Sequence, residues 1–170
     1  MYFTGRRHDE ADLIQEWQDE KAGRNSSFKY LTSGAALADL NLEGFDHLMG
    51  IFSSSHMEYS LERTEEMDDP SLAEMTAKAL EMLIARDEGF VIFIEAGLVD
   101  HGHHGNKARE ALDETLQLDM AVTVAREMTS QEETLIIVTA DHSHALTING
   151  RSHTTRIIGL MKISRIRSQI

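Results

Sequence analysis

The sequence predicts an α/β protein built on a mainly parallel central sheet with flanking helices. Two continuous apolar runs, Val91-Ile92-Phe93-Ile94 and Thr134-Leu135-Ile136-Ile137-Val138, have the composition of strands covered on both faces. Between them, residues 106–128 set Leu118, Ala121, Val122, Ala125 and Met128 at helical spacing. Strand, helix and strand in that order form a βαβ unit, whose two strands are parallel neighbours. Ahead of this unit, short helical and strand-like runs alternate, as the same class requires.

The elements follow in chain order. Residues 9–22 predict a helix with Leu13, Ile14 and Trp17 on one face and Gly23 as its stop. Phe28 to Leu31 predicts a brief strand, residues 33–40 a small helix, and His47 to Phe52 another short apolar run before the Ser53-Ser54-Ser55 loop. Asp69-Pro70 predicts a helix start, with Asp69 as cap, Leu72, Met75, Ala79, Leu80 and Leu83 as the apolar stripe, and Gly89 beyond the end. Thr129-Ser130 breaks the long helix before the second buried strand.

Composition narrows the function classes. The chain of 170 residues is long enough for one domain with a real core. A net charge of -13 argues against non-specific partners such as nucleic acid or an anionic membrane. With no cysteine there is neither a disulfide nor a thiolate–metal framework. No run approaches the ~20 apolar residues that span a bilayer, and no leader-like apolar segment follows Met1. Asn25-Ser26-Ser27 matches the N-glycosylation sequon, so Asn25 is a candidate acceptor.

The chemistry lies where the two predicted strands end. The first leads into Glu95-Ala96-Gly97-Leu98-Val99-Asp100-His101-Gly102-His103-His104, the second into Thr139-Ala140-Asp141-His142-Ser143-His144. Loops at the carboxyl ends of parallel neighbours lie side by side. Five of the nine histidines, two aspartates and a glutamate are thereby expected in one place. Carboxylate oxygen with imidazole nitrogen is a typical Zn²⁺ donor set, whereas an all-oxygen set favours Mg²⁺. A polar histidine loop without function is the alternative for one such motif; two on adjacent strand ends weaken it. A Ser-His-Asp triad through Ser143 finds no support, since no Gly-x-Ser-x-Gly elbow occurs in the chain.

At these motifs the sequence resembles the alkaline phosphatase family, particularly its animal members. The likeness extends back through Leu13-Ile14-Gln15-Glu16-Trp17, His47-Leu48-Met49-Gly50-Ile51-Phe52 and Asp69-Pro70-Ser71-Leu72-x-Glu74-Met75-Thr76, in the same order. It implies part of that family's three-layer sandwich over residues 1–160, followed by a divergent basic tail at 161–170. It also implies hydrolysis of phosphate monoesters by a two-zinc, phosphoserine mechanism, with two Zn²⁺ and one Mg²⁺ as cofactors. Glu95 would be a Mg²⁺ ligand, Asp100 and His104 ligands of the first zinc, and Asp141 and His142 ligands of the second. His144 would support the first zinc site from behind its ligands, while His101 and His103 carry no metal assignment.

Several of the family's parts are not found in these residues. The serine nucleophile, an aspartate bridging two metals and a phosphate-binding arginine belong N-terminal to the matched stretch, and a third ligand of the first zinc C-terminal to it. The expectation is a truncated chain with no catalytic nucleophile of its own. The alternatives are an inactive metal-binding fragment or a related superfamily phosphatase, sulfatase or mutase. Ser53 stands where animal members commonly carry a glutamate calcium ligand, which argues against that site. Family members are usually homodimers, extracellular or lipid-anchored at the plasma membrane; neither a leader nor an anchor signal is read here.

Overall fold

A computed structural model describes residues 8–145 apart from 65 and 87. The basic tail at 161–170 therefore lies outside the described residues. The first helix, α1 (Leu13–Gly23), begins later than predicted because Asp12 caps it, its carboxylate accepting from Gln15 N at 3.0 Å. Trp17 leaves α1 to meet Phe28 edge to face, with ring centroids 5.4 Å apart. Asn25 follows in the left-handed region (φ 54), exposed, its N–H donating to Ala22 O at 3.0 Å.

Strand β1 (Phe28–Leu31) pairs in parallel with β2 (His47–Gly50), Phe28 opposite His47 and Leu31 opposite Gly50. Helix α2 (Gly34–Ala38) connects them, with Ser33 as its cap. Asp68 holds the start of α2, accepting from Gly34 N through its carbonyl at 2.6 Å and from Ala35 N through Oδ1 at 2.7 Å. The predicted βαβ logic is thus realised in the first half of the chain, as a two-stranded parallel sheet.

Helix α3 (Leu72–Ile84) starts at Ser71, not at Asp69. Ser71 Oγ accepts from Glu74 N at 3.2 Å while Glu74 Oε2 accepts from Ser71 N at 2.7 Å, a reciprocal capping box that satisfies two helix-end donors. Those hydrogen bonds hold the Glu74 carboxyl below its usual 4.5, the backbone bond from Ser71 being the larger cause. Asp68 is already engaged at α2, so the Asp-Pro pair serves the turn between helices.

The core forms where α3 packs on the long helix α5 (Ala108–Met128). Leu80 and Thr76 on α3 are buried, as are Ala111, Ala121 and Ala125 on α5, whose small side chains let the helices approach. Glu114 is buried too, its Oε1 accepting from Ser60 N at 2.6 Å in the 3₁₀ turn Ser60–Glu62. A short helix absent from the sequence reading, α4 (Leu98–His104), packs against α5.

One expectation is overturned. Neither Val91–Ile94 nor Thr134–Val138 is a strand, and among the described residues neither joins a ladder. Val91 is 97% exposed, Phe93 91%, Leu135 83% and Ile137 74%, so these runs are the least covered apolar segments rather than the most. A strand buried on both faces needs neighbours at both edges and layers above and below. Here the only paired strands among the described residues are β1 and β2.

Candidate metal centre

Asp100 and His104 stand one helical turn apart on α4, which places them on the same face. His104 Nε2 lies 3.4 Å from Asp100 Oδ2. The position of α4 is set by Gly102, where a Cβ would stand 2.9 Å from the N, Cα and Cβ of Ala111. Only a hydrogen at that position lets the motif helix lie this close to α5. The junction between the two helices is tied as well. Lys107 N donates to Gly102 O at 2.8 Å, and Lys107 Nζ donates to Glu62 Oε1 at 3.1 Å while standing 4.5 Å above the Tyr59 ring. The hydrogen bond with Glu62 pushes the Lys107 ammonium above its usual 10.5, and the same bond holds the Glu62 carboxyl below 4.5.

The second motif meets this helix without the intervening sheet. The His144 ring crosses that of His104 edge to face at 4.6 Å and stacks on His103 at 5.3 Å, with 18° between planes. Asp100, His104 and His144 each offer a ligand atom, and these atoms all lie within 4.8 Å of one another. His142 Nε2 stands 3.9 Å from Asp100 Oδ1 and 3.5 Å from Asp141 Oδ2. The two oxygens of Asp100 therefore face two different imidazoles.

The polar bookkeeping at this point favours a cation. Asp100 Oδ1 is buried without a hydrogen-bond donor, a costly state for a carboxylate oxygen. His142 Nδ1 lies 3.2 Å from Ser143 O, and a carbonyl only accepts, so that nitrogen carries the ring hydrogen. In the neutral ring, Nε2 then points a lone pair towards two carboxylates. Such facing acceptors repel unless a proton or a metal ion stands between them. The donor set fits a borderline divalent ion such as Zn²⁺.

The predicted site residues divide accordingly. Asp100, His104, Asp141 and His142 form one connected chain of contacts. Glu95 is exposed, next to the start of α4, and belongs to no ligand group among the described residues. Sequence reasoning gave His144 a supporting place, whereas it stands level with Asp100 and His104. It also passed over His56, whose ring meets that of His101 edge to face at 4.1 Å. The available signal for α4 was the four-residue spacing of Asp100 and His104, obscured by Gly102. A shallow cleft between α2 and α3, lined by Asp68, Asp69, Glu74 and Lys78, shares no residue with this centre.

A helix-positioned Asp/His cluster on an α/β scaffold defines a metal-dependent class of protein, and the comparisons with known proteins narrow it. The family profile described as alkaline phosphatase matches residues 2–169; the chain belongs to that family. It is 42% identical over 159 residues to "Membrane-bound alkaline phosphatase" of Bombyx mori, covering 93% of this chain and 29% of that protein. It is 46% identical over 147 residues to the tissue-nonspecific isozyme of Gallus gallus, covering 86% of this chain and 28% of that one. Among solved structures, Thermus thermophilus alkaline phosphatase superposes with a TM-score of 0.60 at 30% identity, over 71% of this chain and 24% of the other. The α/β fold class is thereby shown, and the chain spans under a third of the length of these relatives. No helix among the described residues is long and apolar enough to cross a membrane.

Proposed function

We propose that this chain supplies the metal-binding half of an alkaline phosphatase acting on phosphate monoesters, with two Zn²⁺ and one Mg²⁺ as its ions. The observation that carries the proposal is the convergence of both family motifs, Asp100 and His104 from one and His142 and His144 from the other, around a buried carboxylate oxygen without a donor. Asp100 and His104 hold the first zinc, Asp141 and His142 the second, and Glu95 the magnesium ion. When bound, paired zincs supply positive charge to the phosphoryl oxygens and lower the pKa of water from 15.7 towards about 7. The protein's own work is orientation. Gly102 seats α4, Lys107 fixes its end, and the Ser143 carbonyl fixes the His142 tautomer.

The 170 residues include no residue assigned as the nucleophile, so the isolated chain is proposed to bind zinc without turning over ester. In the full-length setting the substrate is a phosphate monoester and the assembly a homodimer, with membrane association only through a lipid anchor. A chimera tests the reading, with this stretch replacing the segment it aligns with in the Bombyx mori relative. Zinc-dependent hydrolysis of p-nitrophenyl phosphate that disappears with Asp100→Ala is the expected result. A chimera that is folded, zinc-loaded and inactive, or one indifferent to Asp100→Ala, contradicts it.

A further inference from the structure

We propose that His144 is itself a metal ligand in this chain, completing a three-donor site with Asp100 and His104 rather than bracing that site from behind; this rests on the metal-centre reading above. The first support is distance. The three ligand atoms lie within 4.8 Å of one another, and the Asp100 Oδ2 to His104 Nε2 separation is 3.4 Å. Two donors each about 2.0–2.1 Å from a tetrahedral zinc are about 3.3 Å apart. One edge of the site is therefore already at its bound length, and His144 needs only a small rotation to close the others.

The second support is the ring hydrogen. His144 Nδ1 lies 2.8 Å from the Ala145 carbonyl oxygen, which can only accept, so Nδ1 carries the hydrogen. A neutral imidazole has one N–H. With it given to Ala145, His144 has none to donate to Asp100, and the Asp100 Oδ1 atom that most needs a donor has no hydrogen bond. A bracing role requires that N–H to reach a ligand. The observed tautomer instead leaves Nε2 with a free lone pair, and an Nδ1–H held by a backbone carbonyl is how ligating histidines are commonly oriented. His103, stacked on the ring at 5.3 Å, and His104, crossing it at 4.6 Å, set the ring plane. Two imidazoles and one carboxylate leave a fourth position open, the arrangement of catalytic rather than structural zinc.

The test is zinc titration of the full 170-residue chain with ¹⁵N-labelled histidine, followed in long-range ¹H–¹⁵N spectra. His104→Gln and His144→Gln variants assign the signals. The expected result is that one ring nitrogen of His104 and Nε2 of His144 both move to the metal-bound region, and that His144→Gln weakens zinc binding at least tenfold. If His104 moves while His144 does not, the inference is overturned and the metal centre stands. If neither moves, the metal centre fails with it.

Discussion

Replacing Gly102 probes how the motif helix is seated. A Cβ at this position would lie 2.9 Å from three Ala111 atoms, two of them backbone, in a helix that α3 already holds from elsewhere. Ala111 cannot rotate away, so α4 must shift. Inserting one methyl into a packed contact costs about 1–3 kcal/mol, against about 1 kcal/mol that alanine gains over glycine inside a helix. The steric term wins, leaving Gly102→Ala about 1 kcal/mol less stable and Gly102→Val about 2–3 kcal/mol less stable. In urea unfolding followed by circular dichroism, a loss of 1 kcal/mol lowers the midpoint by roughly 0.5 M. Gly105 is the control at the end of the same helix, because a Cβ there meets nothing nearer than 3.4 Å. Gly105→Ala should stay within about 0.5 kcal/mol of the parent. Zinc affinity should fall with Gly102→Val, since α4 carries Asp100 and His104. A Gly102→Ala protein as stable as the parent would refute the reasoning about this crossing.

Other expectations come from single contacts. Glu114→Ala leaves the Ser60 N–H without its 2.6 Å acceptor and should cost about 1–3 kcal/mol in the same unfolding assay, with little change for Glu110→Ala on the same helix. Glu74 has a lowered carboxyl pKa, so its contribution is present above 4.5 and lost as pH falls through the folded value. The parent should therefore lose more urea stability between neutral pH and about pH 3 than Glu74→Gln does; parallel pH profiles would contradict this. Zinc at a hundredfold excess over its dissociation constant should stabilise the chain by about 2.7 kcal/mol, reversibly with chelator, and less so in a quadruple alanine variant of Asp100, His104, Asp141 and His142.

Much of the local structure was legible in the sequence because its causes are local. Phe28–Leu31 is a strand as predicted, and the long helix runs to Met128 because Thr129 follows, its Oγ1 donating to Ala125 O at 2.7 Å. The start of α3 was misplaced although Ser71-Leu72-Ala73-Glu74 spells a capping box; Asp69-Pro70 was the more familiar signal. Helix α4 was missed for a different reason. Glycine and four polar residues give it poor intrinsic propensity, and only its packing on α5 through Gly102 and Ala111 sustains it. The runs Val91–Ile94 and Thr134–Val138 show the opposite failure, where composition specifies burial that the described residues do not provide. The motif residues converge all the same, because α4 and its packing on α5 place the first motif against the second. Orientation was beyond sequence altogether: the ring hydrogen that separates a ligating from a bracing His144 is set by one backbone carbonyl.

Calorimetric titration of the 170-residue chain with Zn²⁺ at neutral pH, compared with Asp100→Ala, reaches the heart of the matter, because Asp100 is the carboxylate shared by His104 and His142. Saturable binding in the parent, weakened at least tenfold by the substitution, is the predicted result. Heat that never saturates, or equal affinity in both proteins, would mean that these side chains meet without forming a metal site.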